Sequence, residues 1–541
     1  MQSRTKVTGA TTAIVAMLLG GGHLMFAQER GSFVREARQP RPNPFLSAPT
    51  YGVVHWDPAQ TDSFPYPIPP GKYHADLKKA PGVVRGPVNT ATLASTYKDG
   101  MWSCSSEGVA FLDLRAGGLE EIARAELPSA KVISKETHEK ALGKPFTKMA
   151  EVRKAVNDVY GLDEKRILNN VYALVDHENV LYTNDQQGSI FAFALTDPRD
   201  PRAGIKLLRS CDSSRMLGKG EQLVGLNITY DGMLIIVGQR SLGIIDRDFT
   251  KEPHIVRFGA DETISNGVSV DEDDGIYVAS DKFVRKVLWT GEELSQDESR
   301  GAWSSTYSLG RTPPSVKTGG GTGSTPTLMG FGEDPDKLVV ITDGSDHMNL
   351  VAFWRDKIPA GAKQQPGTSS LRMAGQIPVT CGLTSKPEFI QSEQSVAILG
   401  YGAFVVNNVR EKGMKDRLVD VFAGGPVFEP GKGCERFEWD PTKHAWRSVW
   451  QRPDVVSTSM VPGVSRMSRT VVVNGYTAAA GWEMTGMDWE TGGTVHRIIF
   501  GQDNLGNGAY GLIQYLPNGD LLFNGVAGPR RVHLHGGGPR E

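Results

Sequence analysis

Short apolar runs separated by Asp/Gly turns recur along most of this chain. The clearest stretch runs from Ile264 to Trp289. Val268 and Val270 alternate with Ser269 and Asp271, and an acidic turn ends at Gly275. A second run, Ile276 to Ala279, is followed by the polar turn Ser280-Asp281-Lys282 and a third run, Phe283 to Leu288. Alternation of this kind predicts strands with one buried face, and Asp/Gly clusters supply the backbone angles of hairpin turns. A lone meander of three strands cannot bury its faces, so it needs neighbours of the same kind.

The chain supplies them. Similar units begin near Asn169, Gly225, Ser324, Thr384, Arg469 and Gly511. With the stretch above they make seven, after a partial unit at Ala91–Leu114. The spacing is irregular, about 40 to 75 residues, but the order inside each unit is constant, as in a β-propeller of four-stranded blades. The expected fold is all-β, a propeller of seven or eight blades, with the C-terminal strands completing the blade begun near residue 91. A sandwich array or a β-helix is the rival architecture, and irregular repeat length argues against the β-helix.

Two regions depart from the pattern. Residues 28–88 are dense in proline, which forbids helix and central strand. They predict an extended arm over the body, with a disordered linker as the alternative, and Tyr51, Trp56, Phe64 and Tyr66 argue for packing. Residues of about 119–168 are charged, with Met149, Val152, Val156 and Val159 at helical spacing. They predict a helical insertion, either a lid over one end of the ring or a helix packed on its rim. The propeller then spans 89–535, and 536–541 form a tail.

The N-terminus adds a localisation. Arg4 and Lys6 precede an apolar run from Ala10 to Ala27, the pattern of a signal peptide over 1–27. Export to the periplasm or medium is expected, with an uncleaved anchor as the rival. No other stretch approaches the length of a membrane span. The net charge of -2 argues against a nucleic-acid partner. Cys104, Cys211, Cys381 and Cys434 have no close spacing of the metal-knuckle or redox kind. One or two disulfides, or four free thiols, are open alternatives.

Chemistry concentrates in a few places. The turn from Thr342 to Asn349 holds Asp343, Asp346 and His347. A His beside carboxylates serves as a general base, so Asp343 and His347 are the candidate catalytic residues. A plain Asp/Gly hairpin connection is the alternative. His533 and His535 share a strand face, but at the chain end. Asn170, Asn227, Asn266 and Thr325 head successive inner strands, and neutral oxygens with a carboxylate suit a hard cation such as Ca²⁺; the alternative is that these polar residues simply satisfy backbone groups and waters in the channel.

Leu226-Asn227-Ile228-Thr229-Tyr230-Asp231-Gly232 and Ser265-Asn266-Gly267-Val268-Ser269-Val270-Asp271 resemble the gluconolactonase and strictosidine-synthase-like propellers. That resemblance implies a divalent cation held by a Glu, two Asn and an Asp from different blades. Asn227 and Asn266 fall on the Asn positions and Glu107 on the Glu position, while the next inner strand offers Ser324 and Thr325 in place of the Asp. Gly320–Met329 with Leu338–Asp343, and Asp488–Gly492, are similar to quinoprotein blades, which occur in binding proteins as well as dehydrogenases.

The expectation is therefore an exported propeller enzyme acting on a small organic substrate at the channel mouth. The reaction expected is hydrolysis of a lactone or ester, aided by Ca²⁺ on Glu107, Asn170, Asn227 and Asn266. A non-catalytic scaffold for a protein or glycan partner is the second class. A metal- or quinone-dependent oxidoreductase is the third.

Overall fold

A computed structural model describes residues 38–84, 86, 91–128, 130, 132–161, 172–185, 187–315, 317 and 319–534. The expected signal segment, Asn170 and His535 lie outside the described residues.

The strands form consecutive antiparallel meanders. Seven are four-stranded, with innermost strands at Ala91–Ala94, Leu174–Val175, Leu223–Ile228, Ser269–Val270, Thr327–Met329, Ala397–Leu399 and Gly463–Ser465. A three-stranded sheet, with inner strand Ile513–Tyr515, follows. We number these sheets blades 1 to 8 in chain order. The stretch from Ile264 to Trp289 gives the first three strands of blade 4: Ser269–Val270, Gly275–Ala279 and Phe283–Trp289. The fold is a β-propeller.

The core lies between neighbouring blades. Ile235 and Ile244 of blade 3 pack with Ile276 and Val278 of blade 4. Val340 and Leu350 of blade 5 pack with Val405 and Phe437 of blade 6. Both faces of each middle blade are therefore buried, and each such Ile, Leu or Val contributes about 1.5–3 kcal/mol.

Three features differ from the sequence expectation. Blade 1 is complete, because Glu120–Glu126 is its outer strand and not part of the helical insertion. Its alternation is masked by charge on the solvent side. The helices are α1 (Lys135–Leu142) and α2 (Met149–Tyr160), and a third, α3 (Arg417–Ala423), rises inside blade 6. The C-terminal strands do not join blade 1. They form their own sheet, and the arm closes it: Gly82 bridges Arg530, with Val83 N donating to Pro529 O at 3.1 Å and Arg531 N to Pro81 O at 2.8 Å.

The arm is the organising element. Residues 38–47 cross one mouth of the ring. Arg38 pairs with Glu333 at 3.1 Å, Tyr230 Oη donates to Arg41 O at 2.7 Å, and Ser47 N donates to Val175 O at 2.9 Å. Residues 51–64 are all buried and coil inside the channel as a plug. Ser63–Phe64 and Gly71–His74 then pair, both in parallel, with the two edges of blade 7. Edge positions are where a proline-rich segment is tolerated.

The plug bonds to every blade. Ala94 N donates to Tyr51 O (2.8 Å), Val175 N to Gly52 O (2.8 Å) and Val270 N to Pro58 O (2.8 Å). Leu328 N donates to Ala59 O (3.0 Å), Ile398 N to Thr61 O (3.0 Å) and Val464 N to Asp62 O (2.9 Å). Blade 3 joins through Asn227 and blade 8 through Tyr51 Oη. Inner strands otherwise present unpaired backbone groups to the channel, and the plug satisfies them. Its curvature requires positive φ at Tyr51, His55, Trp56, Gln60 and Asp62, a conformation that costs about 1–2 kcal/mol per residue.

Candidate functional site

Above the plug, at the end of the ring where the chain enters each inner strand, lies a cavity of about 380 Å³. Residues 38–47 and the plug close the other end, so this cavity opens on one face. Its wall comes from the loops entering several blades, among them Ser265 and Asn266 of blade 4, Thr322 and Thr325 of blade 5, and Gln394 and Ser395 of blade 6.

The plug supplies the floor. His55 lines the cavity, although the residue is 6% exposed. Its Nδ1 lies 2.9 Å from Asp62 Oδ1 and 3.0 Å from Oδ2. Its Nε2 has no hydrogen-bond partner among the described residues. Asp62 is buried, and burial pushes its carboxyl above the usual range, while the charge and hydrogen bond of His55 pull it back. A buried carboxylate on Nδ1 fixes both ring orientation and tautomer, leaving Nε2 as the free nitrogen.

The local sequence explains this placement. Val53, Val54 and Trp56 are apolar and buried, so they draw the segment into the channel. The left-handed backbone of His55 and Trp56 (φ 65° and 76°) forms a kink between them. Residues in that region are uncommon and cluster at functional sites.

A second charged group stands on the wall. Arg417, at the start of α3, holds Glu393 at 2.5 Å and lies over the Tyr510 ring at 5.6 Å. Burial raises Glu393, and Arg417 opposes that shift. Tyr172 spans the cavity edge: its Oη accepts from Gly267 N at 2.9 Å and lies 3.4 Å from Thr325 Oγ1. Helix α2 packs against α3, so the helical insertion joins the cavity face through the helix that carries Arg417.

The expected ligand residues do not converge. Asn266 lines the cavity, where its Nδ2 donates to Ser265 Oγ at 3.1 Å. Asn227 sits deeper, with Nδ2 donating to Val268 O (2.8 Å) and Pro58 O (3.4 Å), and Oδ1 accepting from Ile228 N (2.9 Å). Its amide joins two blades and the plug. Glu107 belongs to a turn of blade 1, where Oε1 accepts from Ile133 N (3.0 Å) and meets His138 Nε2 of α1 (3.2 Å). Asn170 lies outside the described residues. These donor sets do not fit one cation, and among the described residues no three His, Cys, Asp or Glu side chains cluster as metal ligands.

Asp343 and His347 share a turn beside blade 5 but not the cavity lining. Asp343 accepts from Ser345 N (3.1 Å), Asn349 N (2.8 Å) and Asn349 Nδ2 (2.7 Å). Burial raises it and these bonds lower it. His347 is exposed, with Nε2 2.8 Å from Pro387 O. The buried Lys317 nearby donates to Gln391 Oε1 at 3.1 Å, and burial pushes its amine down to about 8. The four cysteines are buried and unpaired. No described helix is long and apolar enough to cross a membrane.

Sequence reasoning missed His55 and Asp62. The available signal was a His and two Asp within an aromatic segment, Tyr51 to Phe64, too apolar to remain on a surface.

No protein-family model matches this chain. An uncharacterized protein of Archaeoglobus fulgidus is 33% identical over 324 residues, 58% of this chain and 61% of that protein. The match thus spans about three-fifths of that relative. Among solved structures, Sqt1 from Chaetomium thermophilum aligns with a TM-score of 0.40 at 12% identity, over 67% of this chain and 80% of that one. A Lactobacillus plantarum protein aligns with a TM-score of 0.34 at 8% identity, over 77% and 89%. The assignment to the β-propellers rests on the strand topology itself.

Proposed function

We propose that this protein is a hydrolase that uses His55 as general base on a small lactone or ester bound in the cavity. The observation that carries this reading is the imidazole on the cavity floor, tethered through Nδ1 by the buried Asp62 and open at Nε2. Nε2 takes a proton from water as its oxygen attacks the ester carbonyl. Asp62 stabilises the imidazolium. The C–O bond breaks, His55 returns the proton to the leaving alkoxide, and an acid and an alcohol result. The volume suits a molecule of roughly ten to twenty non-hydrogen atoms. Ser265, Asn266, Thr322 and Ser395 on the wall offer hydrogen bonds to a polar substrate, beside the mutually paired Arg417 and Glu393. The apolar run Ala10–Ala27 supports export as the setting.

The test is a panel of aliphatic lactones and short-chain esters with purified protein and its His55→Gln and Asp62→Asn variants. His55→Gln should lose about 10²–10⁴ in kcat. Asp62→Asn should lose less and shift the pH–rate profile. Full turnover by His55→Gln, or a wild type inert toward every lactone and ester, would overturn the proposal.

A further inference from the structure

A second cleft, of about 630 Å³, lies on the opposite face, at the seam between blades 1 and 8. Tyr51 of the plug forms its floor. Tyr66 of the arm, Tyr97 and Met101 of blade 1, and Leu516 and Pro517 of blade 8 wall it. This seam is special within the ring. Every other pair of neighbouring blades follows in chain order, whereas here the first blade meets the last and the arm completes the join.

Its polar groups are unequal. Arg115 and Arg531 also line the cleft but are matched, Arg115 to Asp113 at 2.6 Å and Arg531 to Asp520 at 2.8 Å. Asp99 stands exposed at the rim, facing the charge of Arg115. Donors without an acceptor among the described residues include the Lys98 ammonium and the Tyr66, Tyr97 and Thr96 hydroxyls. Aromatic walls favour a flat ring that stacks edge or face against them. A cation with two phenol donors favours an anionic end, because charge-assisted hydrogen bonds are the stronger ones.

We infer that this cleft is a ligand site for a planar organic anion, an aromatic carboxylate by chemistry. The ring lies between Tyr66, Tyr97 and Pro517 above Tyr51, and the carboxylate takes hydrogen bonds from Lys98 and the tyrosine hydroxyls. The site is separate from the cavity that holds His55 and does not depend on the hydrolase reading. The two meet at Tyr51 and Trp56, where Tyr51 N donates to Trp56 O at 2.9 Å. Tyr51 packs edge-on against Trp56 with ring centres 4.4 Å apart, and Trp56 follows His55 in the plug.

Isothermal titration and ligand-observed NMR test this on the purified full chain, with benzoate and indole-3-acetate as probes and benzamide as the neutral control. Both carboxylates should bind saturably at one site, at least about tenfold tighter than benzamide. Lys98→Ala, an exposed position, should weaken carboxylate binding by about tenfold without altering the circular dichroism spectrum. Tyr66→Phe should weaken it as well. Absence of saturable binding at millimolar probe would overturn the inference. So would equal affinity for benzamide, or binding that survives Lys98→Ala and falls in Arg417→Ala, which places the probe in the other cavity.

Discussion

Asp57 offers a direct test of the sealed plug. The side chain is 4% exposed and is held by Thr61, whose N donates to Oδ1 at 3.3 Å and whose Oγ1 donates to Oδ2 at 2.5 Å. Burial is the dominant influence and raises the carboxyl from 3.8 to about 6, against the bonds from Thr61 and the charge of Arg466. A carboxyl raised in the folded state favours folding when protonated. That contribution is complete below about 3.8, its unfolded value, and is lost as pH rises through about 6. The full shift corresponds to about 3 kcal/mol, and about 2.4 kcal/mol of it develops between about pH 4 and pH 7. Asp57→Asn keeps the shape and removes the titration; Oδ1 still accepts from Thr61 N, and Nδ2 now donates to Thr61 Oγ1. Its stability relative to wild type should therefore climb by about 2 kcal/mol across that range. Urea unfolding followed by tryptophan fluorescence at several pH values reads this directly. A variant whose difference from wild type stays flat with pH would refute the reasoning. It would mean that water reaches Asp57 and that the channel is open.

Other substitutions probe the same architecture. Tyr51→Phe removes the hydroxyl that accepts from Tyr515 N (3.2 Å) and donates to Tyr515 O (3.1 Å). It should lower unfolding stability by about 2–4 kcal/mol, because buried backbone groups lose their partners; a loss below about 0.5 kcal/mol would show that blade 8 closes without it. Asn227→Ala should cost about 2 kcal/mol and Asn266→Ala less than about 0.5 kcal/mol, since only Asn227 ties blades to the plug; the reverse order in denaturation would contradict the assigned roles. Asp420→Ala leaves the Arg410 guanidinium, paired at 2.5 Å, buried without its carboxylate. It should cost about 3–5 kcal/mol and loosen α3, which thermal unfolding and proteolysis near residue 417 would detect.

The ring was legible because its signals are local. Alternation and turn residues act over a few positions, and Ser269–Val270, Gly275–Ala279 and Phe283–Trp289 follow them closely. The closure was not legible, because Gly82 meets Arg530 across most of the chain and neither residue announces a partner. Blade 1 read as partial because Glu120–Glu126 carries charge continuous with the helical segment. Of the site, Asn266 was placed at the cavity by its position heading an inner strand. Asn227 does not head its strand but lies near the far end of Leu223–Ile228, where the plug engages its amide. Position on an inner strand does not reveal what already fills the channel. His55 and Asp62 were hidden for a related reason. A proline-rich arm reads as a surface segment, and left-handed backbone at non-glycine residues has no sequence signature.

That hidden element ties function to stability. Five plug residues hold positive φ, at a cost of about 1–2 kcal/mol each; bonds within residues 51–64, such as Tyr51 N to Trp56 O at 2.9 Å and His55 to Asp62, offset part of it. Hydrogen bonds from all the blades add to these. The position of His55 therefore depends on the closed ring as well as on its own segment. A substitution that loosens one blade shifts the balance between strain and bonding along the whole plug, and the imidazole moves with it. The coupling runs both ways. Relieving the strain by placing glycine at Trp56 would also delete the ring that packs on Tyr51, and so weaken the seam where blade 8 meets blade 1. The placement of His55 and ring closure cannot be tuned independently in this protein, because one strand of backbone serves as floor for the cavity and keystone for the ring.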